Sequence, residues 1–305
     1  MRNLKAYISS AVLVPILFVL LTGTLSLLFT GCQIAPKPTQ ITETRVRPFT
    51  ALVEKAERPI EVTPLTVVLD ARSSFDYGLN HVVNSLPLQW SDLAEKEATG
   101  ETLRDLHKAA LRLSLLGLTP QTSVVIVGYG NAGRGEEGRL AWSLLFLGFH
   151  DVQITGVEAM RKSMTQEASP AAQNVPPWKA ESRDELQIGK NEFLNLALNP
   201  KLRLENRVHI LDVRSAQEYL NKIPGKSKLP DINAINIEWK NFFTASGRPD
   251  VKFKGKLAAL GVQPEDRVIL VSNRGVRSGA AAYALFALGF EHVQNFTAGW
   301  NSLAP

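Results

Sequence analysis

The residues best placed to do chemistry lie in Val268-Ile269-Leu270-Val271-Ser272-Asn273-Arg274-Gly275-Val276-Arg277-Ser278-Gly279-Ala280-Ala281-Ala282. A short apolar run rich in β-branched residues, a polar turn with a glycine and an alanine-rich continuation read as a buried strand, a tight loop and the start of a helix. A loop in that place is a cradle for an anion. Its backbone N–H groups and the positive end of the helix dipole converge on one point, and Arg274 and Arg277 bring full charges beside it. The candidate anion-binding residues are Ser272, Asn273, Arg274, Gly275, Val276, Arg277 and Ser278. The hydroxyl of Ser272 is a nucleophile only if a base stands beside it, and the sequence offers none.

The elements that must position this loop occur twice. Leu69-Asp70-Ala71-Arg72 matches Leu211-Asp212-Val213-Arg214, and Leu147-Gly148-Phe149 matches Leu288-Gly289-Phe290. Trp90 and Trp239 follow the two Asp-x-Arg motifs at similar distances, and Asp151-Val152-Gln153 echoes His292-Val293-Gln294. A period of roughly 140 residues is too long for a solenoid and fits a duplicated domain. Each copy alternates short apolar strands with helical stretches, as at 65–69, 103–118, 124–127 and 140–147. That alternation predicts an α/β fold with a parallel sheet flanked by helices.

The loop resembles the active-site loop of the rhodanese-like sulfurtransferases, Cys-x-x-Gly-x-Arg-Ser after a buried strand. Gly275, Arg277 and Ser278 fall on that pattern, and Ser272 holds the position of the nucleophilic cysteine. The repeat as a whole resembles the tandem-domain thiosulfate or mercaptopyruvate sulfurtransferases. The resemblance implies two rhodanese-like domains, 65–166 and 187–305, joined by a linker over 167–186. In the first, Asp70-Ala71-Arg72, Tyr77 and His81-Val82-Val83-Asn84-Ser85 carry the family's structural marks, with His81 read as structural rather than as an acid or base. Aligning 124–127 on 268–271 puts Gly128 at the nucleophile position, with a following loop longer by about three residues. This half therefore resembles the non-catalytic N-terminal half of such proteins, packing against the second and walling its cleft. The glycines around Gly133-Arg134-Gly135 form no nucleotide motif, because no Lys-Ser/Thr follows them.

In the second copy Asp212-Val213-Arg214-Ser215 with Glu218-Tyr219 is close to the family pattern, while the segment 223–230 lacks its Gly-His pair. Lys222, Lys226 and Lys228 read as a solvated face. Asp212 and Arg214 are second-rank candidates. They read as a hydrogen-bonded pair tying the strand end to the loop, through Arg277, with direct substrate contact as the other reading. Sulfur transfer of this kind passes through a persulfide on a low-pKa thiolate. A serine cannot carry that intermediate, so the resemblance implies the fold and the anion cradle without the reaction. The six-residue cradle is shorter by one than that of the phosphatases resembling this fold, which suits a sulfur-bearing group better than phosphate. No cofactor and no metal is called for.

The chain of 305 residues has 34 basic and 29 acidic side chains, a net charge of +5, and a single cysteine. Its basic residues are scattered with no aromatic-basic stripe, so nucleic acid is not an expected partner. One cysteine allows no disulfide framework. Arg2 and Lys5 followed by an apolar run to Phe29 and then Thr30-Gly31-Cys32 read as a signal over 1–31. Its end resembles a bacterial lipobox, implying lipidation of Cys32, removal of the one thiol, and display in the cell envelope, on the outer membrane facing the periplasm. The alternative is an uncleaved membrane anchor, since the run approaches the roughly 20 residues that span a bilayer. Residues 32–64, with five prolines, read as a tether, with a short helix or strand around 50–57 the one candidate element in it. The expected function is a silent, membrane-anchored rhodanese-homology protein that binds a small sulfur oxyanion or a protein partner in the former active-site cleft. A sulfurtransferase of altered mechanism, using thiosulfate or 3-mercaptopyruvate, and a purely structural envelope lipoprotein are the alternatives.

Overall fold

A computed structural model describes residues 49–96, 99–220 and 232–303. Cys32, the expected signal and most of the tether lie outside these residues, as do Lys222, Lys226 and Lys228. Among the described residues no helix is long and apolar enough to cross a membrane.

Two parallel sheets of the same strand order form the frame. In the first half β1 (Thr66–Asp70), β3 (Leu86–Pro87), β6 (Ser123–Gly128) and β7 (Val152–Gly156) run in the order β3-β1-β6-β7. In the second half β9 (Val208–Asp212), β10 (Ile235–Asn236), β11 (Arg267–Val271) and β12 (His292–Asn295) run in the order β10-β9-β11-β12. Runs such as Val124–Val127 and Val268–Val271 are buried on both faces, as strands of a helix-covered parallel sheet must be. Two small antiparallel pairs complete the first half: β2 (His81–Val82) with β8 (Met164–Thr165), and the hairpin β4 (Ala94–Lys96) with β5 (Thr99–Thr102).

The helices are α1 (Thr50–Ala56), α2 (Ser74–Leu79), α3 (Leu106–Leu115) and α4 (Glu136–Phe146), then α5 (Lys190–Leu198), α6 (Pro200–Glu205), α7 (Ala216–Tyr219), α8 (Phe253–Ala259) and α9 (Val276–Ala287). Every residue of α9 except Arg277 is buried, as expected for a helix apolar all round. α4 and α9 pack against each other through small residues. A Cβ on Gly138 would stand 2.8 Å from the Ala280 Cα, so the two helices approach too closely for a larger side chain. Both begin at a glycine in the left-handed region, Gly135 (φ +86°) and Gly275 (φ +68°). An L side chain is strained there.

In each sheet the chain steps outward from its first strand, then returns to that strand's other side. The carboxyl ends of β1 and β6, and of β9 and β11, therefore flank a topological switch point, where α/β sheets bind ligands. Register fixes the correspondence, because Asp70 lies opposite Val127 and Asp212 opposite Val271. Gly128 thus stands where Ser272 stands. From Gly128 to Gly135 is seven positions and from Ser272 to Gly275 three, so the first loop carries four extra residues rather than about three.

The expected tether ends in structured chain. Over Thr50–Ala56 it is a helix whose Leu52 is buried and whose preceding Phe49 ring lies 4.4 Å from that of Phe286 in α9. Lys55 bonds Asp151 of the first half at 2.7 Å, and Arg248 of the second donates to the Lys55 and Ala56 carbonyls at 2.9 Å each. A seven-residue helix is too short for periodicity to mark, so only packing against both halves defines it.

Candidate functional site

The strand–loop–helix expected over 268–282 is present, and it forms the floor of a cleft of about 510 Å³. The second half contributes Ser272, Asn273, Arg274, Val276 and Arg277, with Glu218, Glu238, Trp239 and Lys240 on the rim. The first half contributes Trp90, Ala132, Gly133, Arg134 and Glu136. The four extra residues of the first loop thus become a wall of the second half's site.

Ser272 is 1% exposed. Its hydroxyl lies 3.0 Å from that of Ser278 and accepts the Ser278 N–H at 3.3 Å. The amide of Asn295 donates through Nδ2 to the Gly275 carbonyl at 3.1 Å, so its Oδ1 faces Ser278 and accepts that hydroxyl's single proton at 2.7 Å. With that proton committed, Ser278 Oγ is left as the acceptor and the Ser272 hydroxyl as the donor. The proton of Ser272 is directed into the protein. Among the described residues no imidazole or carboxylate hydrogen-bonds it.

Of the loop amides, that of Ser278 is taken by Ser272 Oγ. Among the described residues no acceptor takes those of Gly275, Val276 and Arg277. With the left-handed turn at Gly275 they lie together at the N-terminus of α9, in the kind of concave arrangement that is able to accept an anion. Arg277 is turned aside from this role. Its guanidinium clasps Glu218 with Nη1 to Oε2 at 2.6 Å and Nη2 to Oε1 at 2.8 Å, and Asn273 Nδ2 adds a donor at 2.8 Å. Burial alone would raise the Glu218 carboxyl. The hydrogen bonds and charge of Arg277, with the Ser215 N–H and O–H, outweigh it and hold the carboxyl at about 2. The charge expected of Arg277 in the cradle is therefore largely compensated. Glu218 was missed as a site residue. The signal was present in Ser215-x-x-Glu218, a capping box immediately after the strand, which sets the acid at the same end of the sheet as the loop.

Asp212 and Arg214 are buried beneath the loop, bonded to each other at 2.6 to 3.0 Å through two guanidinium nitrogens. Neither lines the cleft, so direct substrate contact does not hold. Nor does the tie run through Arg277. It runs through Trp300, whose indole donates to Asp212 Oδ2 at 3.2 Å and stacks under Arg214, while its backbone N–H donates to the Ser272 carbonyl at 2.9 Å. His81 is buried away from the cleft, its Nδ1 3.0 Å from the Tyr77 carbonyl and its ring stacked on that of Tyr77 at 4.1 Å. That is a structural placement.

Residues 200–304 match the family model of the rhodanese-like domain. They form a rhodanese-like domain. The thiosulfate sulfurtransferase of Azotobacter vinelandii is 26% identical over 198 residues, 61% of this chain and 68% of that protein. Two solved structures share the fold more widely. A variant of EanB in complex with ergothioneine covalently linked to a persulfide gives a TM-score of 0.66 at 20% identity over 82% of this chain and 65% of that one. The anaerobic ergothioneine biosynthesis enzyme of Chlorobium limicola, in complex with trimethyl histidine, gives 0.65 at 19% over 82% and 65%. The chain thus spans about two thirds of the length of the structures it matches. The rhodanese-like fold is shared, and residues 200–304 present a hydroxyl at the head of their loop.

Proposed function

We propose that the chain is a catalytically silent rhodanese-like protein that holds a small sulfur oxyanion, or an acidic group of a protein partner, in the cleft above 272–278. One observation carries this reading. The Ser272 hydroxyl donates its proton inward to Ser278, which donates to Asn295. Activating it as a nucleophile needs a base on that proton, and both acceptors along the relay are a hydroxyl and an amide of negligible basicity. The open amides of Gly275, Val276 and Arg277 supply what an anion needs without any such activation. On the sequence reading the protein is displayed on the bacterial envelope by a lipid on Cys32, which leaves the mature chain no thiol of its own.

Calorimetric titration with sodium thiosulfate and sulfite tests the binding. One anion per chain is expected, with no cyanide-dependent sulfur transfer. Arg277→Ala strips the counter-charge from Glu218 and leaves a carboxylate beside the cradle, so it weakens binding by at least about tenfold. No binding to the wild type returns the protein to a structural role in the envelope.

A second reading has one finding behind it: EanB, of like fold, is seen with ergothioneine covalently linked to a persulfide. On that reading this chain acts in sulfur transfer by presenting its cleft to a persulfide carried on a partner's cysteine. Sulfur exchange between thiosulfate and cyanide that appears only when a persulfide carrier protein is added would favour it.

A further inference from the structure

Arg139 is the first half's contribution to the loop of the second. It sits in α4 at the α4–α9 contact, 0% exposed, its guanidinium 4.9 Å from the ring centre of Trp142 and 5.7 Å from that of Trp90. Nη1 donates to the Gly275 carbonyl at 2.8 Å and Nη2 to the Gly100 carbonyl of the β4–β5 hairpin at 2.5 Å, while Nε lies 3.4 Å from Ser143 Oγ. Among the described residues no carboxylate pairs with it. Burial pulls the guanidinium down to about 9, which leaves it charged at neutral pH. A buried charge with only dipoles and ring faces around it is costly to desolvate, so its position beneath an anion cradle calls for an explanation.

The peptide group gives one. A trans peptide sets its C=O and N–H on opposite sides. The Gly275 carbonyl points down to Arg139 and to Asn295 Nδ2. The N–H of Val276 is on the other side of that same peptide, and Val276 lines the cleft. A full positive charge on the carbonyl oxygen draws electron density away from the N–H and makes it a stronger donor. We propose that Arg139 is the counter-charge of the bound anion, a positioning residue of the first half that acts through the Gly275–Val276 peptide rather than by contact. This rests on the anion-binding reading above, and it gives the first half a task in the binding site that its own glycine-headed loop does not perform.

Because Arg139 is wholly buried, deleting it tests the fold as well as the charge. Ser143→Asp is the cleaner probe, since it places a carboxylate against Arg139 Nε and neutralises the charge while leaving every cradle residue in place. The expected result is a thermal midpoint no lower than that of the wild type, thiosulfate and sulfite affinity lower by roughly tenfold, and an upfield shift of the Val276 amide proton in ¹⁵N–¹H spectra. Arg139→Lys, which keeps a charge there, retains most of the affinity. Wild-type binding with equal affinity in a folded Ser143→Asp protein, or a Val276 amide that does not move, overturns the role of Arg139 and leaves the cradle standing. No heat from thiosulfate or sulfite in the wild type overturns the cradle and Arg139's role with it. Should Ser143→Asp fail to fold, the wild-type spectrum decides alone: Val276 must be among the most downfield-shifted amides and must respond on titration with sulfite.

Discussion

Comparing the two strand–loop–helix units shows how one backbone frame has been given two opposite interiors. In both, a strand ends on Asp-x-Arg, a serine caps the next turn, and an acid three residues on accepts from the residue after the nucleophile position. Tyr129 and Ser73 donate to Asp76 in the first half, and Asn273 and Ser215 to Glu218 in the second. The tyrosine that follows donates to a main-chain carbonyl in each, Tyr77 to Ser85 and Tyr219 to Ala234. Besides the four extra residues of the first loop, the difference lies in two positions. Where the second half has Ser272 and Arg277, the first has Gly128 and Glu137. Glu137 is buried, and a Cβ on Gly128 would collide with its Oε2, so the carboxyl fills the space of the missing side chain. The first loop is closed with an acid, and the second is left open with its arginine held by a carboxylate. On the proposed reading an anion site survives in one unit only, although the frame of both is intact.

The shared frame gives the largest effects. Asp70→Ala and Asp212→Ala each leave a buried arginine, Arg72 or Arg214, without its partner. Each is expected to cost about 3–5 kcal/mol of stability in urea unfolding. Near-equal losses confirm that both pairs are structural. A much larger loss of anion affinity than of stability in Asp212→Ala would separate the halves in a way the geometry does not support.

The acids that close the first loop and hold the arginine of the second, Glu137 and Glu218, should be shifted in opposite directions. Burial pushes Glu137 from the ordinary 4.5 up to about 8. Between those values the folded protein holds a proton that the unfolded chain has lost, so this contribution is complete below pH 4.5 and is lost as pH rises toward 8. Glu137→Gln should remove that slope and stabilise the protein at pH 7 by at most about 3 kcal/mol. Glu218, held at about 2, contributes stability above pH 4.5 that is lost as the pH falls toward 2, and Glu218→Gln should flatten that acid limb. Unfolding curves of both variants across pH read the two signs directly. A Glu137→Gln protein with the wild-type alkaline slope would show that this carboxyl is not the closed door of the first loop.

Much of this was legible in the chain. The strand, the loop and the helix around Ser272 follow from an apolar run, a glycine and an alanine-rich continuation, and the doubled Asp-x-Arg falls at the ends of β1 and β9, the matching strands of two sheets of like order. What pattern reading missed was set by long-range partners. Glu218 disarms Arg277 across 59 positions, and Arg139 reaches Gly275 across 136. Both are polar residues whose meaning depends on which backbone atom faces them, and periodicity says nothing of that. Asn295 ends a strand and fixes the direction of the Ser272 proton, a role that only the hydrogen-bond pattern discloses. For α1 the sequence left helix and strand open, because seven residues between Pro48 and Pro59 are too few to show a period.

The most direct test is a thiosulfate:cyanide assay on the Cys32→Ser protein, which contains no sulfhydryl, beside the same protein carrying Ser272→Cys. The account predicts no thiocyanate above buffer from the first. From the second it predicts turnover, because a thiol at that position would meet the Ser278 N–H at the head of α9 and ionise readily. Steady thiocyanate production by the Cys32→Ser protein would contradict it.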